Sequence, residues 1–411
     1  KDNPIALKKV FKVLNAFLKG ADLFDEQVVA IDGSKFRAQN SKKNNYNEKK
    51  VKQHLDYVDR KTELYLKELD ELDKEEQQQE TETEVEKRLQ IAQQLDQLQK
   101  RRTKYEVLQE QVQQARAIGQ TQVSTSDADA RALPKKMNIV EVGYNVVSAA
   151  EIKHKLITNY KVTNELDTYA LADSALEARD VLGKKEKEVL TVLADKGFDT
   201  GSELKRCMDN QISTIVAPKK RQSSKKDKAF GKDKFVYDYD KEEYICPQGQ
   251  RLTTNKVWYH KKGSAYRKAI KFHRYKLPFK VCNSCPVKLK CAGPSMLKRS
   301  NGRQIERSEY EDYIDENTER TKRNKELYRK RQETMEHQFG TIKRQWGYDY
   351  TLMKTKQKVS GEFAIIFTCY NLKRAITILG VKELIKRLKT DSCLLKAKIR
   401  PILSFCKPLF L

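Results

Sequence analysis

The stretch Gln27-Val28-Val29-Ala30-Ile31-Asp32-Gly33 decides the fold. Its short β-branched run predicts a buried strand, and the run stops abruptly at an acid and a glycine, which places Asp32 at the strand's carboxyl end. Val189 to Ala194 repeats the pattern and terminates in Asp195-Lys196-Gly197. In open α/β sheets sites form at the carboxyl ends of strands, because the strand fixes the side chain while the following loop opens space for a ligand. One Asp-Gly at a strand end is by itself an ordinary turn. Two acids ending two apolar strands form a pattern.

Working outward, residues 5–19 carry apolar side chains at three- and four-residue steps, the mark of a helix with one buried face. Residues 138–148 and 155–163 alternate like paired strands around a turn at 149–153. A helix follows over 170–182, then the 189–194 strand, a helix capped by Thr200 or Ser202 that carries Leu204 and Cys207, and a strand over 212–217. This order predicts a mixed α/β sheet.

Between the first strand and that hairpin, residues 48–117 change to Glu, Gln, Lys, Leu and Asp without proline or glycine. Val51, Leu55, Val58, Thr62, Tyr65, Leu69 and Leu72 form one coiled-coil seam, and Val85, Leu89, Ile91, Leu95, Leu98, Tyr105, Leu108 and Val112 a second. With Glu75 to Thr83 as the tip, this predicts a helical hairpin whose arms reach about 45 Å at 1.5 Å per residue. One continuous helix is the rival reading. In either form the segment projects from the domain as an insertion.

The chain has 411 residues, 83 Lys+Arg against 57 Asp+Glu, a net charge of +26 and 38% hydrophobic residues. These values exclude a collagen and a small disulfide scaffold, and the apolar run at Phe363 to Thr368 falls far short of a membrane span. Eight cysteines in so long a chain suggest reduced thiols and an intracellular protein. Residues 47–118 are near neutral, with 14 Lys+Arg and 17 Asp+Glu, so the positive excess lies on the rest of the chain. Such an excess suits a polyanion, although a lysine-rich soluble surface is the plain alternative. No GxxxxGK[ST] phosphate loop is present, and the five histidines offer no nucleophile-base pair.

A third acid, Glu336, lies in Arg331-Gln332-Glu333-Thr334-Met335-Glu336-His337-Gln338-Phe339-Gly340-Thr341-Ile342-Lys343-Arg344, inside a long helix predicted over 306–345. Three converging carboxylates call for cations. Two Mg²⁺ (or Mn²⁺) ions about 3.5–4 Å apart suit in-line displacement at phosphorus. Glu333, one turn from Glu336, is the rival acid, and a solvated helix face is the plain reading of both.

Cys282-Asn-Ser-Cys285, Cys291 and Cys246-Pro247-Gln248-Gly249 supply four soft ligands in a segment short of apolar residues, a candidate structural Zn²⁺ site. Free, partly buried thiols are the alternative, and His260 or His273 could replace a cysteine. Lys219, Lys220, Arg221 and the string Trp258-Tyr259-His260-Lys261-Lys262 suit contact with a nucleic-acid backbone or a solvated loop equally. Trp346 suits base stacking or core. Helices are expected over 358–378 and 381–389, and the tail after Asp391 is unassigned.

Three motifs, Ala30-Ile31-Asp32-Gly33-Ser34-Lys35-Phe36-Arg37-Ala38, Leu193-Ala194-Asp195-Lys196-Gly197-Phe198 and Glu333 to Arg344, together resemble bacterial insertion-sequence transposases of the two-aspartate, one-glutamate class. The nearest branch is the insertion-sequence eleven-eighty-two family. Tyr144-Asn145, the cysteine-bearing insert and Glu362 with Asn371-Leu372-Lys373-Arg374 extend the resemblance over most of residues 20–380.

The resemblance implies a ribonuclease-H-like α/β core that cuts and joins double-stranded DNA at transposon ends and targets. Asp32, Asp195 and Glu336 would hold two Mg²⁺ ions, and Lys343, Arg344, Arg331, Tyr328, Trp346 and Lys35 would contact DNA. Related transposases space Tyr, Arg, Glu and Lys with three residues between Arg and Glu; here four separate Arg331 from Glu336, which leaves the roles of Tyr328 and Arg331 open. It further implies a homodimer or higher assembly at synapsis, a bacterial cytoplasmic, nucleoid-associated location and a helical DNA-binding segment upstream of Lys1.

The expected organisation is the end of a helical region over 1–26, the first core strand in 27–46, the coiled-coil insertion over 47–120 and the core resumed over 121–217. A basic linker and cysteine-rich insert over 218–305, the helical end of the core over 306–390 and a basic tail over 391–411 complete it. A catalytically inactive or truncated transposase-derived DNA-binding protein is the alternative function.

Overall fold

A computed structural model of the chain describes residues 3–390, apart from 26, 40–41, 76–81, 118, 135–139, 187, 220–227, 265–267 and 292–301. The tail after 390, Lys220 and Arg221 therefore lie outside the described residues, as does most of the expected hairpin tip.

Strand β1 (Val28–Arg37) is central. It runs antiparallel to β5 (Val140–Glu151) on one side and parallel to β7 (Leu190–Ala194) on the other, and β8 (Ile212–Val216) extends the sheet parallel to β7. β4 (Arg131–Pro134) and β6 (Ile157–Thr163) share the outer edge of β5. The parallel half follows from the helices between its strands, α4 (Leu171–Leu182) before β7 and α5 (Gly201–Asp209) before β8.

Both faces of the sheet are covered, which is why β1 and β7 read as continuous apolar runs. Val29, Ile31, Val147, Ala149 and Val192 pack against α4, α5 and the end of α1 (Pro4–Gly20). Ala30, Phe36, Tyr144, Val146 and Leu193 pack against Met335 and Phe339 of the late helix Lys325–Gly340, Ile342 of the turn that follows it, and Phe363 and Phe367 of the helix Lys356–Leu379. Gly143 lets β1 and β5 close up, since a Cβ there would lie 2.1 Å from the Phe36 carbonyl oxygen.

Residues 48–117 form two helices, α2 (Glu48–Glu75) and α3 (Glu82–Ala117). Ion pairs Glu48–Arg116, Asp59–Arg102 and Asp73–Arg88 set them antiparallel. Short strands β2 (Asn45–Tyr46) and β3 (Val123–Ser124) pair at their base, where Tyr46, Val51, Leu108 and Val112 form a small separate core. The second predicted seam is only partly inward. Ile91, Leu98 and Val112 are buried at steps of seven and fourteen residues, whereas Val85 and Leu89 are exposed. Leu89 precedes Ile91 by two residues, about 200° around a helix, so one stripe cannot hold both.

The single helix expected over 306–345 is instead four pieces. β14 (Gln304–Ser308) comes first, then helices Glu311–Arg323 and Lys325–Gly340, then a π-helical turn over Thr341–Gln345. At the break, the Asn324 side-chain amide donates to the Arg320 carbonyl at 2.8 Å. Uniformly charged composition hid both the strand and the break. The strand forms because its neighbours supply an edge: β14 pairs with β13 (Ile270–Lys276) in a second sheet with β9 (Val236–Asp238), β10 (Glu243–Ile245), β11 (Arg251–Thr254) and β12 (Tyr259–Lys261). Phe235, Tyr244, Leu252, Tyr275 and Ile305 are its core. Among the described residues no single helix is long and apolar enough to cross a membrane.

Candidate functional site

Asp32 and Asp195 meet because of strand register. Ile31 of β1 pairs with Ala194 of parallel β7, so each acid is the next residue on adjacent strands. Asp195 Oδ1 caps the following turn by accepting from the Gly197 N–H at 2.6 Å, and Asp32 Oδ1 accepts from the Gly33 N–H at 2.9 Å. Burial pushes the Asp32 carboxyl up to about 6, against the pull of the Arg331 guanidinium and with a further push from Asp195 and Asp167.

Arg331 Nη1 lies 3.2 Å from Asp32 Oδ2. The Lys325–Gly340 helix brings it there by burying Thr334, Met335, Gln338 and Phe339 against the sheet. Gln338 hydrogen-bonds Ser148 Oγ, and Ser148 is the β5 partner of Asp32. The face toward the acids is therefore the stripe of Arg331 and Gln338.

Glu336 is elsewhere. It is exposed and accepts from Gln332 Nε2 at 2.8 Å. It lies five positions after Arg331, about 140° of helix rotation at 3.6 residues per turn. Glu333 is also exposed and pairs with Lys155 at 2.6 Å. The structure thus brings Asp32 and Asp195 together and leaves both helix acids apart from them.

Asp167, which the sequence reading did not single out, is close enough to Asp32 and Asp195 to interact with both. It opens a 3₁₀ turn (Asp167–Tyr169) after β6, and its carboxyl is pushed up mainly by burial, held back by the Asn145 amide and Lys35 and raised further by Asp195. It comes four residues after β6 and has no glycine behind it, so no strand-acid-glycine pattern marks it. Asn145 Nδ2 donates to Asp167 Oδ1 at 2.7 Å and to the Glu165 carbonyl at 3.1 Å. These two bonds fix the amide's orientation and leave the fully buried Asn145 Oδ1 without a hydrogen-bond partner.

Asp32, Asp195, Asp167 and Asn145 Oδ1 are hard oxygen donors, the chemistry that Mg²⁺ and Mn²⁺ select, and an orphaned buried acceptor is what a cation would satisfy. As they stand, no three His, Cys, Asp or Glu side chains among the described residues close on one metal position.

Around this centre, Lys343 Nζ donates to the Lys35 carbonyl at 2.6 Å and lies 4.1 Å from the Phe36 ring centroid. Lys35 itself reaches the Pro134 carbonyl. Tyr328 packs against the core with Arg331 over its ring, Arg344 is exposed, and Trp346 is half-buried with Lys373 over its ring. Lys219 Nζ donates to the Asp199 carbonyl at 2.7 Å. Tyr144 and Asn371 have structural roles: the tyrosine hydroxyl donates to Asp127, and Asn371 bonds both backbone groups of Ile157.

Cys246, Cys282, Cys285 and Cys291 line one cavity in the second sheet's unit. The Gln248 and Gln250 N–H groups point at Cys246 Sγ (3.4 and 3.3 Å), and the Arg303 N–H points at Cys282 Sγ (3.2 Å). Gly249, at φ +74°, makes the turn that aims the first two. Burial pushes the Cys291 thiol up, and the other three cysteines add to the push. His273 lies over Trp258 and its Nδ1–H donates to the Val257 carbonyl instead, and neither it nor His260 lines the cavity.

A family model described as a transposase DDE domain matches residues 245–376. The match supports a transposase of the DDE class. It takes in the four cavity cysteines, Arg331, Glu336 and Lys343, and it begins after Asp32 and Asp195. A family of this class acts on DNA. No curated protein and no solved structure matches the chain.

Proposed function

We propose that the chain is a DNA transposase of the insertion-sequence eleven-eighty-two type, with a ribonuclease-H-like core that cleaves DNA at element ends and joins it to a target. The observation that carries this reading is the juxtaposition of Asp32 and Asp195 where the parallel pairing of β1 with β7 ends, at Ile31 and Ala194, although β1 itself continues to Arg37. The sheet order, with β5 antiparallel to β1 and with β7 and β8 parallel to it, supports the core assignment.

Asp32 and Asp195 would hold Mg²⁺ or Mn²⁺, joined by Glu336 when its helix turns that residue inward in place of Arg331. When bound, two such ions activate the attacking oxygen and neutralise the leaving one at phosphorus. The chain's own cations would do the positioning: Lys35 of β1 and Lys343 beside it, with Arg344 and Lys219, Lys220 and Arg221, would contact phosphates, and Trp346 would stack on a base. The α2–α3 coiled coil would serve assembly of a synaptic dimer or larger complex on nucleoid DNA in the bacterial cytoplasm. The four cysteines would hold a structural Zn²⁺, with N–H groups already directed at two sulphurs.

A second reading has its own support. Asp32 already has a cation in Arg331, and Glu336 faces away, the arrangement expected of a transposase-derived DNA-binding protein without activity. Incubation with the element's end DNA and Mg²⁺ or Mn²⁺ separates the two. Nicking by the parent that is lost in Asp195→Ala and Glu336→Gln supports the enzyme; equal products from parent and Asp195→Ala would overturn it.

A further inference from the structure

We infer that Asp167, together with the side-chain carbonyl of Asn145, belongs to the divalent-cation site of Asp32 and Asp195, and that Gly33 and Gly197 are glycines in order to admit it. This rests on the metal-dependent reading above and deepens it.

Four observations carry the inference. A Cβ at Gly33 would lie 1.9 Å from Asp167 Oδ1 and 3.0 Å from Asn145 Oδ1, so the Asp167 carboxylate fills the space directly beside β1. A Cβ at Gly197 would lie 2.8 Å from Asp195 Oδ1 and 3.6 Å from Asp167 Oδ2, so the two carboxylates flank one point. Neither glycine has a positive φ, and backbone freedom therefore does not explain them. Finally, Asn145 is fully buried and its Oδ1 has no donor, although its amide is held by two bonds.

Without a cation, like charges at short range repel, and partly desolvated carboxylates repel more strongly. A divalent cation reverses the sign of that interaction. It would draw Asp167 and Asp195 inward and give Asn145 Oδ1 the partner it lacks, with a dipolar oxygen completing a carboxylate set in the way hard cations accept.

The test uses the full chain and Mn²⁺ alone, read by electron paramagnetic resonance and calorimetric titration. Asp167→Asn keeps the acceptor for the Asn145 amide, and should fold as the parent does while binding Mn²⁺ about tenfold or more weakly. Gly33→Ala should weaken binding similarly by displacing the carboxylate. Asp195→Asn is the control for the underlying reading. Parent-like Mn²⁺ affinity and signal in Asp167→Asn, with loss in Asp195→Asn, overturns the inference and leaves the metal-dependent reading standing. No Mn²⁺ binding by the parent overturns both. Should Gly33→Ala fail to fold, Asp167→Asn and Asp167→Ser still decide.

Discussion

The Arg331 guanidinium sits 3.2 Å from the Asp32 carboxylate, on the helix face that Gln338 locks to Ser148. A cation of the chain thus occupies the position from which an external one would reach Asp32. Both side chains are largely buried, so their attraction is screened little and either one left alone is costly.

Arg331→Met should consequently lower metal-free stability by about 1–3 kcal/mol, since it leaves a buried carboxylate unpaired. Added Mn²⁺ should recover much of that loss, and Mn²⁺ should bind more tightly than to the parent. Chemical denaturation with and without Mn²⁺ measures both, and a variant unaffected by Mn²⁺ would show that Arg331 does not compete with a cation.

The Asp32 carboxyl, raised to about 6, has a defined consequence for pH. Its folded pKa lies above the unfolded value, so the folded chain holds the extra proton between them. The stability this contributes is present below about pH 4 and is lost as pH rises through about 6. The metal-free stability difference between Asp32→Asn and parent should therefore shift in the variant's favour from pH 4 to pH 7, by up to about 3 kcal/mol. Denaturation midpoints across that range test it; a flat difference would show an unshifted carboxyl.

For the cysteine cavity, purified protein should carry about one equivalent of Zn²⁺, and Cys282→Ser should lose it and melt at lower temperature. Elemental analysis alongside melting decides. A metal-free parent whose melting matches that of Cys282→Ser would leave four ordinary thiols.

Gly143→Ala should destabilise the fold by about 1–3 kcal/mol, because its Cβ would drive into the Phe36 carbonyl and force β1 from β5. A parent-like denaturant midpoint would mean that the two strands yield there at little cost.

Much of the framework was legible in the sequence because it is local. The apolar runs before Asp32 and Asp195 and the alternation over 138–163 mark strands that form, since each pattern lies within a short stretch of chain, whereas β1 continues five residues past Asp32, where its pairing with β5 holds it extended. The 306–345 segment was misread because a strand edge is supplied by partners, here β13, and composition alone does not record a partner.

The sequence by itself determined that two acids directly follow buried apolar runs and that four cysteines fall in one insert. Only the tertiary structure decided which charges face Asp32. Arg331 is 299 residues away in sequence, and its inward turn, like the outward turn of Glu336, is set by which stripe of one helix buries its apolar side chains against the sheet. Asp167 joins through two registers: that of β1 and β5 puts Asn145, the partner of Lys35, on the same face as Gly33, and that of β5 and β6 carries the chain back to the acids. Such convergence depends on strand pairing and helix rotation, which act between distant segments, and no short pattern encodes it.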